Sequence, residues 1–381
     1  MTVSTINLAT EIKSSRTPVV TNIQLTVPDD VTDAELWDHE NKGVRVYYYV
    51  NDKITTISNL VETIKLFQPE TTMAVSEESA LLNIDFMKKY AGFDMPPRDQ
   101  ALNIVPDESE VKSGDAFYII RLDGIDPLLA WAMGATNGHV TTAMWIDGEL
   151  FVCESTIADS YWPTDYVQRT PYRQWIQQAI DADMNVIYAP LNEAARKNYN
   201  ETAAAAFFKN VEGIDYGFQT IIWGWLDTAR ENFPCLPPDF SSNCFTWELL
   251  EPLIALTDRY VPEIGDQIWN PGFAHRLNIN APLRTAELYQ EAGKQGFAAS
   301  NEVITIVEQD SWVYNTTRWG EPYVGKAMVC CVFVCNTWKA AGIFGELADS
   351  INCAEFTNWD DVSNLFNLTK KIFNSFPFFF L

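Results

Sequence analysis

The sequence predicts an α+β fold in which a small antiparallel sheet packs against one helix late in the chain. Three observations predict it. Asp147-Gly148, flanked by apolar runs, is among the strongest two-residue hairpin signals. Ala116 to Ile120 is a short apolar and aromatic run of strand length. Cys330 to Gly342 carries Phe333, Val334, Thr337, Trp338 and Ala341 at helical spacing, with Gly where a left-handed residue stops a helix.

Composition narrows the function classes. The 381-residue chain has 26 Lys and Arg against 51 Asp and Glu, a net charge of −25. Such a chain repels phosphate backbones and anionic surfaces, and it has no basic run, so no nucleic-acid partner is expected. No apolar run reaches the 18 residues or so of a membrane span, so no transmembrane segment is expected. Met1 to Val20 lacks the apolar core of a signal peptide, which makes the cytoplasm the default and leaves a secreted or endolysosomal location open. Seven cysteines, an odd number, leave at least one thiol unpaired within the chain. There is no Cys-x-x-Cys pair, and His39, His139 and His275 lie far apart, so neither a metal nor another cofactor is expected.

Residues 1 to about 40 read as a polar lead-in and Val44 to Val50 as a strand. Ser58 to Phe67 and Ser76 to Ala91 read as helices, the second stopped by Gly92. The breaker Asp94-Met95-Pro96-Pro97-Arg98 sets a boundary near residue 105, dividing an N-terminal region of unknown role (1–105) from one domain over 106–381. Ser113-Gly114-Asp115 is the turn into the strand at Ala116. Asp126 caps a short helix, with Pro127 in its first turn and Gly134 as its stop. His139 to Ile146 and Glu149 to Glu154 are the hairpin strands. Thr170 and Pro171 start a helix running to about Ile180, Asn185 to Pro190 is a strand, and Asn192 caps one long Ala-rich helix to Val211. An insert at about 219–328, mostly helical, with a helix near Thr246 to Tyr260, holds Trp223, Trp225, Trp247, Trp269 and Trp312. It either lines an apolar groove or forms a satellite core. The tail ends in the apolar run Phe376 to Leu381, too short to span a bilayer.

The hairpin can be read geometrically. A two-residue loop at 147 and 148 pairs residues whose numbers sum to 295, so Glu154 faces Thr141. His139 shares that face, a diagonal step of about 7 Å from Glu154, and the two side chains can meet. A carboxylate there fixes the imidazole's tautomer and stabilises its charged form; the bland alternative is a solvated cross-strand pair. Cys153 falls on the opposite face and reads as packing. Cys330, in the first turn of its helix, sits where unpaired N–H groups and the helix dipole favour a thiolate. The bland alternative is a buried helix in which Cys is a small hydrophobe. Cys331 and Cys335 share another face of the helix and lack the base. Cys244, before Phe245-Thr246-Trp247-Glu248, is a rival nucleophile whose helix Pro252 would disturb.

Together these residues resemble the papain-like NlpC/P60 superfamily in its circularly permuted branch, the YiiX-like cysteine hydrolases. Ser113-Gly114-Asp115-Ala116-Phe117 resembles that branch's strand entry, and Asp126 to Gly134 its short helix. Gly138-His139-Val140 is similar to its Ser-His-Val, Phe151 to Ser155 to its Val-Ile-Glu-Ala, and Tyr216-Gly217-Phe218 to its Tyr-Asp-Phe. Cys330 to Gly342 looks like the nucleophile helix, with Gly twelve positions after Cys. Gly138, Cys331 and Val332 depart from the pattern. The resemblance covers about 110–225 and 325–345 and implies a permuted papain-like core. It implies a Cys330–His139–Glu154 triad working through a thioester on a peptide or lipid-like small substrate, with Tyr216 and Trp131 toward that substrate. Peptidase, amidase, acyl hydrolase and acyltransferase all fall within it. The alternative is a non-catalytic ligand- or lipid-binding module on the same fold.

Overall fold

The computed structural model describes residues 61–67, 73–95, 104–158, 165–224, 255, 258–297, 303, 306–358 and 360. The lead-in, the strand at Val44 to Val50, the two prolines at 96 and 97, Cys235, Cys244, most of the helix near Thr246 and the apolar run at the end lie outside them.

The architecture is mixed α and β, built on a five-stranded antiparallel sheet. Its strands are β1 (Ala116–Ile120), β2 (His139–Ile146), β3 (Glu149–Ser155), β4 (Val167–Pro171) and β5 (Asn185–Ala189), in the spatial order β4-β3-β2-β1-β5. The hairpin register is the one the loop dictates: Ile146 faces Glu149 and Thr142 faces Cys153. Asp147 and Gly148 both take positive φ, 53° and 88°, as the twist-matched two-residue turn requires. Helix α1 (Glu77–Phe86) is capped by Ser76 and runs through a π turn to Gly92, and α2 (Ile125–Met133) ends at Gly134. The strand β4 is a departure from the sequence reading, in which Thr170 and Pro171 opened a helix. Helix α3 (Tyr172–Asp181) begins only after it. Another departure is the break of the Ala-rich segment into α4 (Glu193–Asn198) and α5 (Glu201–Val211). Tyr199 turns extended there, and Asn200 starts a second helix by accepting from Ala203 N.

Alternation of side chains across the strands gives the sheet two apolar faces. Phe117, Ile119, Ala143, Leu150 and Val152 pack on α3 through Trp175, Ile176 and Ala179. Ala116, Tyr118, Val140, Met144 and Cys153 pack on α5 and on α9 (Cys330–Ala340). Cys153 is therefore a buried packing residue on the face opposite Glu154. Helix α9 is buried nearly all round, from Cys330 to Trp338, so its apolar content exceeds the one-sided stripe expected. Trp338 donates to Gly114 O at 3.1 Å, tying the helix to the turn that opens β1.

The insert contributes α6 (Pro262–Ile268), α7 (Asn270–Arg276), α8 (Thr285–Lys294) and a hairpin of β6 (Tyr314–Arg318) with β7 (Glu321–Gly325). Trp223 stacks on Trp269 at 4.3 Å and on Phe273 at 5.9 Å, and with Leu277, Leu288 and Tyr289 forms a satellite core. Of the two roles left open for these tryptophans, Trp223 and Trp269 take the packing one. The residues before 105 are joined to the sheet domain: Leu66, Phe86 and Met87 pack with Ile120, Leu122 and Ala130, and buried Asn83 donates to Leu122 O at 3.1 Å. Among the described residues no helix is long and apolar enough to cross a membrane.

Candidate active site

The site lies where the first residue of β2 meets the first residue of α9. Parity puts the His139 and Glu154 side chains on the α3 face, while α9 packs on the other face. The helix N-terminus reaches the end of the sheet, where the two faces meet. Two hydrogen bonds to one carbonyl fix that N-terminus: Met328 O accepts from Ser155 Oγ at 2.7 Å and from Gly217 N at 3.0 Å. Val329 is the extended N-cap and Cys330 the first helical residue.

His139 Nε2 pairs with Glu154 Oε2 at 2.8 Å. The other carboxylate oxygen, Oε1, accepts from Trp175 Nε1 at 3.2 Å. Trp175 thus orients the group that orients the imidazole, a role with no local signal in the sequence, because it rests on α3 crossing β3. The pair is not the solvated one weighed as the bland alternative: Glu154 is 2% exposed. With Nε2 committed to Glu154, the ring's remaining nitrogen is left for the Cys330 sulfur, which lies within hydrogen-bonding reach of the imidazole.

Electrostatics follow from this packing. Burial alone would lower the imidazole's pKa, but the Cys330 sulfur and the Glu154 carboxylate outweigh it and lift His139 to about 10. The neighbouring Cys331 thiol holds Cys330 well below its ordinary value against the opposing effect of burial; His139 and the Val140 N–H add to this. The two groups therefore favour a thiolate–imidazolium pair.

Each shift has its own sign for stability. The raised imidazole stabilises the fold fully below 6.5, and that contribution is lost as pH rises through about 10. The depressed thiol stabilises it fully above 9.0, and that contribution is lost as pH falls through the folded value. Between 6.5 and 9.0 the slopes cancel, because the folded pair and the unfolded chain each hold one proton. The difference in urea midpoint between the wild type and a Cys330→Ser, His139→Ala double variant should therefore be flat from 6.5 to 9.0 and shrink on both sides. A difference that drifts steadily across that window contradicts the coupling.

A cavity of about 50 Å³ opens beside the pair, lined by Asp126, Leu129, Gly138, Tyr216, His139 and Cys330 among others. Tyr216 is among these lining residues. Its hydroxyl lies against the Cys330 backbone N–H, and burial followed by the nearby sulfur raises its pKa well above the usual value. Trp131 is a correction. It lies two residues from Leu129 and so on another side of α2, and it packs edge-on against Phe86 at 6.3 Å, away from the cavity. Asp126 is another. The N-cap position of α2 is Gly124, and the backbone donors Ile125 N and Asp126 N go to Oδ1 of Asp123 just before it. Asp126 instead accepts from Arg121 N at 2.8 Å and faces the site, where burial and then the Asp123 carboxylate push it up to about 8. Gly138, where the motif has Ser, sits against Asp126 so closely that a Cβ would overlap its backbone.

The cysteines separate sharply. Cys335, set aside above as a thiol without a base, is joined to Cys353 in a disulfide. Cys331 Sγ donates to Phe356 O at 2.9 Å. Among the described residues, no group of three or more His, Cys, Asp or Glu is placed to hold a metal ion. Comparison with known proteins finds no matching family model, curated protein or solved structure.

Proposed function

We propose that the protein is a cysteine hydrolase or acyltransferase on a permuted papain-like core, acting on an amide or a lipid ester through a thioester. The observation that carries this reading is one imidazole shared by two partners. His139 holds Glu154 at 2.8 Å through Nε2 and faces Cys330, at a helix N-terminus, with the rest of the ring. A thiolate with a positioned base is the minimum for acyl transfer. Cys330 Sγ attacks the carbonyl carbon, and the oxyanion forms near the start of α9, whose N–H groups carry positive potential. His139 passes its proton to the leaving amine or alcohol as the carbon–heteroatom bond breaks. Water or another acceptor, deprotonated by His139, then attacks the thioester; the carbon–sulfur bond breaks, Cys330 leaves as thiolate and the proton stays on His139, which restores the starting pair. Glu154, held by Trp175, keeps the ring in place through both steps.

A specific observation favours the second reading, a binding module without turnover: Cys330 is only 5% exposed. One measurement separates the two. A brief iodoacetamide pulse near neutral pH, mapped by mass spectrometry, should label Cys330 first and do so less in His139→Ala. Slow, uniform labelling that ignores His139 supports the module. Profiling lipid esters against peptide amides then assigns the substrate class.

A further inference from the structure

The segment that follows α9 turns back onto the nucleophile. The disulfide from Cys335, within α9, fixes Cys353. Asp310 accepts from Ala354 N at 2.9 Å, and its other oxygen pairs with Lys339 of α9 at 2.6 Å. From that anchor the chain carries Phe356 O to Cys331 and Asn358 to Cys330. Asn358 is fully buried at 0% exposure. Its Oδ1 lies 3.5 Å from Cys330 Sγ, and its Nδ2 donates to Asn137 O at 3.3 Å.

The orientation of that carboxamide is dictated by its partners. An amide side chain has one donor end and one acceptor end, and a backbone carbonyl can only accept. Asn137 O therefore takes the NH₂ end, and the oxygen must face the sulfur. An oxygen there accepts from S–H and repels S⁻, so it favours the thiol. The titratable groups facing Cys330 are His139 from β2 with Glu154 behind it, Asp126 from α2, Tyr216 before the insert and Cys331 on its own helix. His139 pulls toward the thiolate, and the Asn358 oxygen opposes it.

We infer that residues 353–358 form a disulfide-anchored strap that makes Asn358 a positioning residue, one whose oxygen opposes the Cys330 thiolate and which covers the sulfur until the strap lifts. The inference rests on Cys330 being the nucleophile proposed above. It goes beyond that proposal in giving the C-terminal segment control over when the nucleophile is armed.

The test is the pH dependence of Cys330 alkylation by iodoacetamide, mapped by mass spectrometry, in Asn358→Ala, Asn358→Asp and a Cys335→Ser, Cys353→Ser double variant. Asn358→Ala removes the acceptor and the cover, so the midpoint should fall and the rate below it rise by about tenfold, the equivalent of one pKa unit. Asn358→Asp places a carboxylate on the sulfur, so the midpoint should rise. The double Ser variant keeps Asn358 but frees its anchor, and it should follow Asn358→Ala. Midpoints that stay put, or that move the same way in the Ala and Asp variants, overturn the role of Asn358. A double Ser variant that behaves as wild type overturns the anchoring. If wild-type Cys330 reacts no faster than in His139→Ala, the nucleophile assignment itself has failed, a result independent of how the Asn358 variants compare.

Discussion

His139→Ala is expected to lower turnover of an activated ester by about a thousandfold or more while the chain still folds, its urea midpoint lowered because Glu154 loses its partner. The asymmetry comes from the ring's position. His139 opens a strand whose other residues carry the packing, so its loss leaves the two apolar faces intact. Its chemistry has no substitute among the described residues, where no other histidine lines the cavity. Cys330→Ser should lose as much, since a hydroxyl is far harder to deprotonate than a thiol. Glu154→Gln should fall between, keeping the Trp175 and His139 contacts in shape but withdrawing the charge that favours imidazolium. Turnover within about tenfold of wild type in His139→Ala removes His139 from the mechanism.

The second large effect is on stability and lies away from the site. Arg276 and Glu308 pair at 2.9 Å with side chains 1% and 2% exposed, and the guanidinium sits 4.0 Å over the Trp223 ring. Glu308→Ala strands a buried cation, and breaking such a pair costs about 3–5 kcal/mol. The exposed pair Lys294–Glu291, with 67% and 34% of its side chains open to solvent, is the control: Glu291→Ala should cost under about 1 kcal/mol. Urea unfolding of the two variants reads the contrast, and equal midpoints would mean that the satellite core does not bury the Arg276 pair.

What could be read beforehand was local. Asp147-Gly148 set the hairpin register, and that register put His139 beside Glu154. Gly92, Gly134 and Gly342 marked stops because each takes a positive φ that other residues resist. What escaped was set by distant parts of the chain. Val167 to Pro171 carries Gln, Arg and Pro and shows no strand pattern, yet it pairs at the sheet edge, where Pro is tolerated. Asp126 resembled a cap, and only the fold reveals it pressed against Gly138 at the site. Trp175 on Glu154, Cys353 on Cys335 and Asn358 on Cys330 join segments with no shared periodicity, so no window of sequence announces them.

The proposed base and the proposed nucleophile stand half the chain apart in sequence, and this has a kinetic consequence. Closing a loop costs entropy that grows only with the logarithm of its length, about 0.6 kcal/mol per doubling, so the intervening insert burdens the site little at equilibrium. Its burden falls on assembly. The His139–Glu154 half of the site is a hairpin contact, available as soon as residues 139–154 have been made. The sulfur arrives only after the insert has been synthesised, and contacts of such separation form late. During biosynthesis the growing chain therefore carries the proposed base well before the sulfur it would serve.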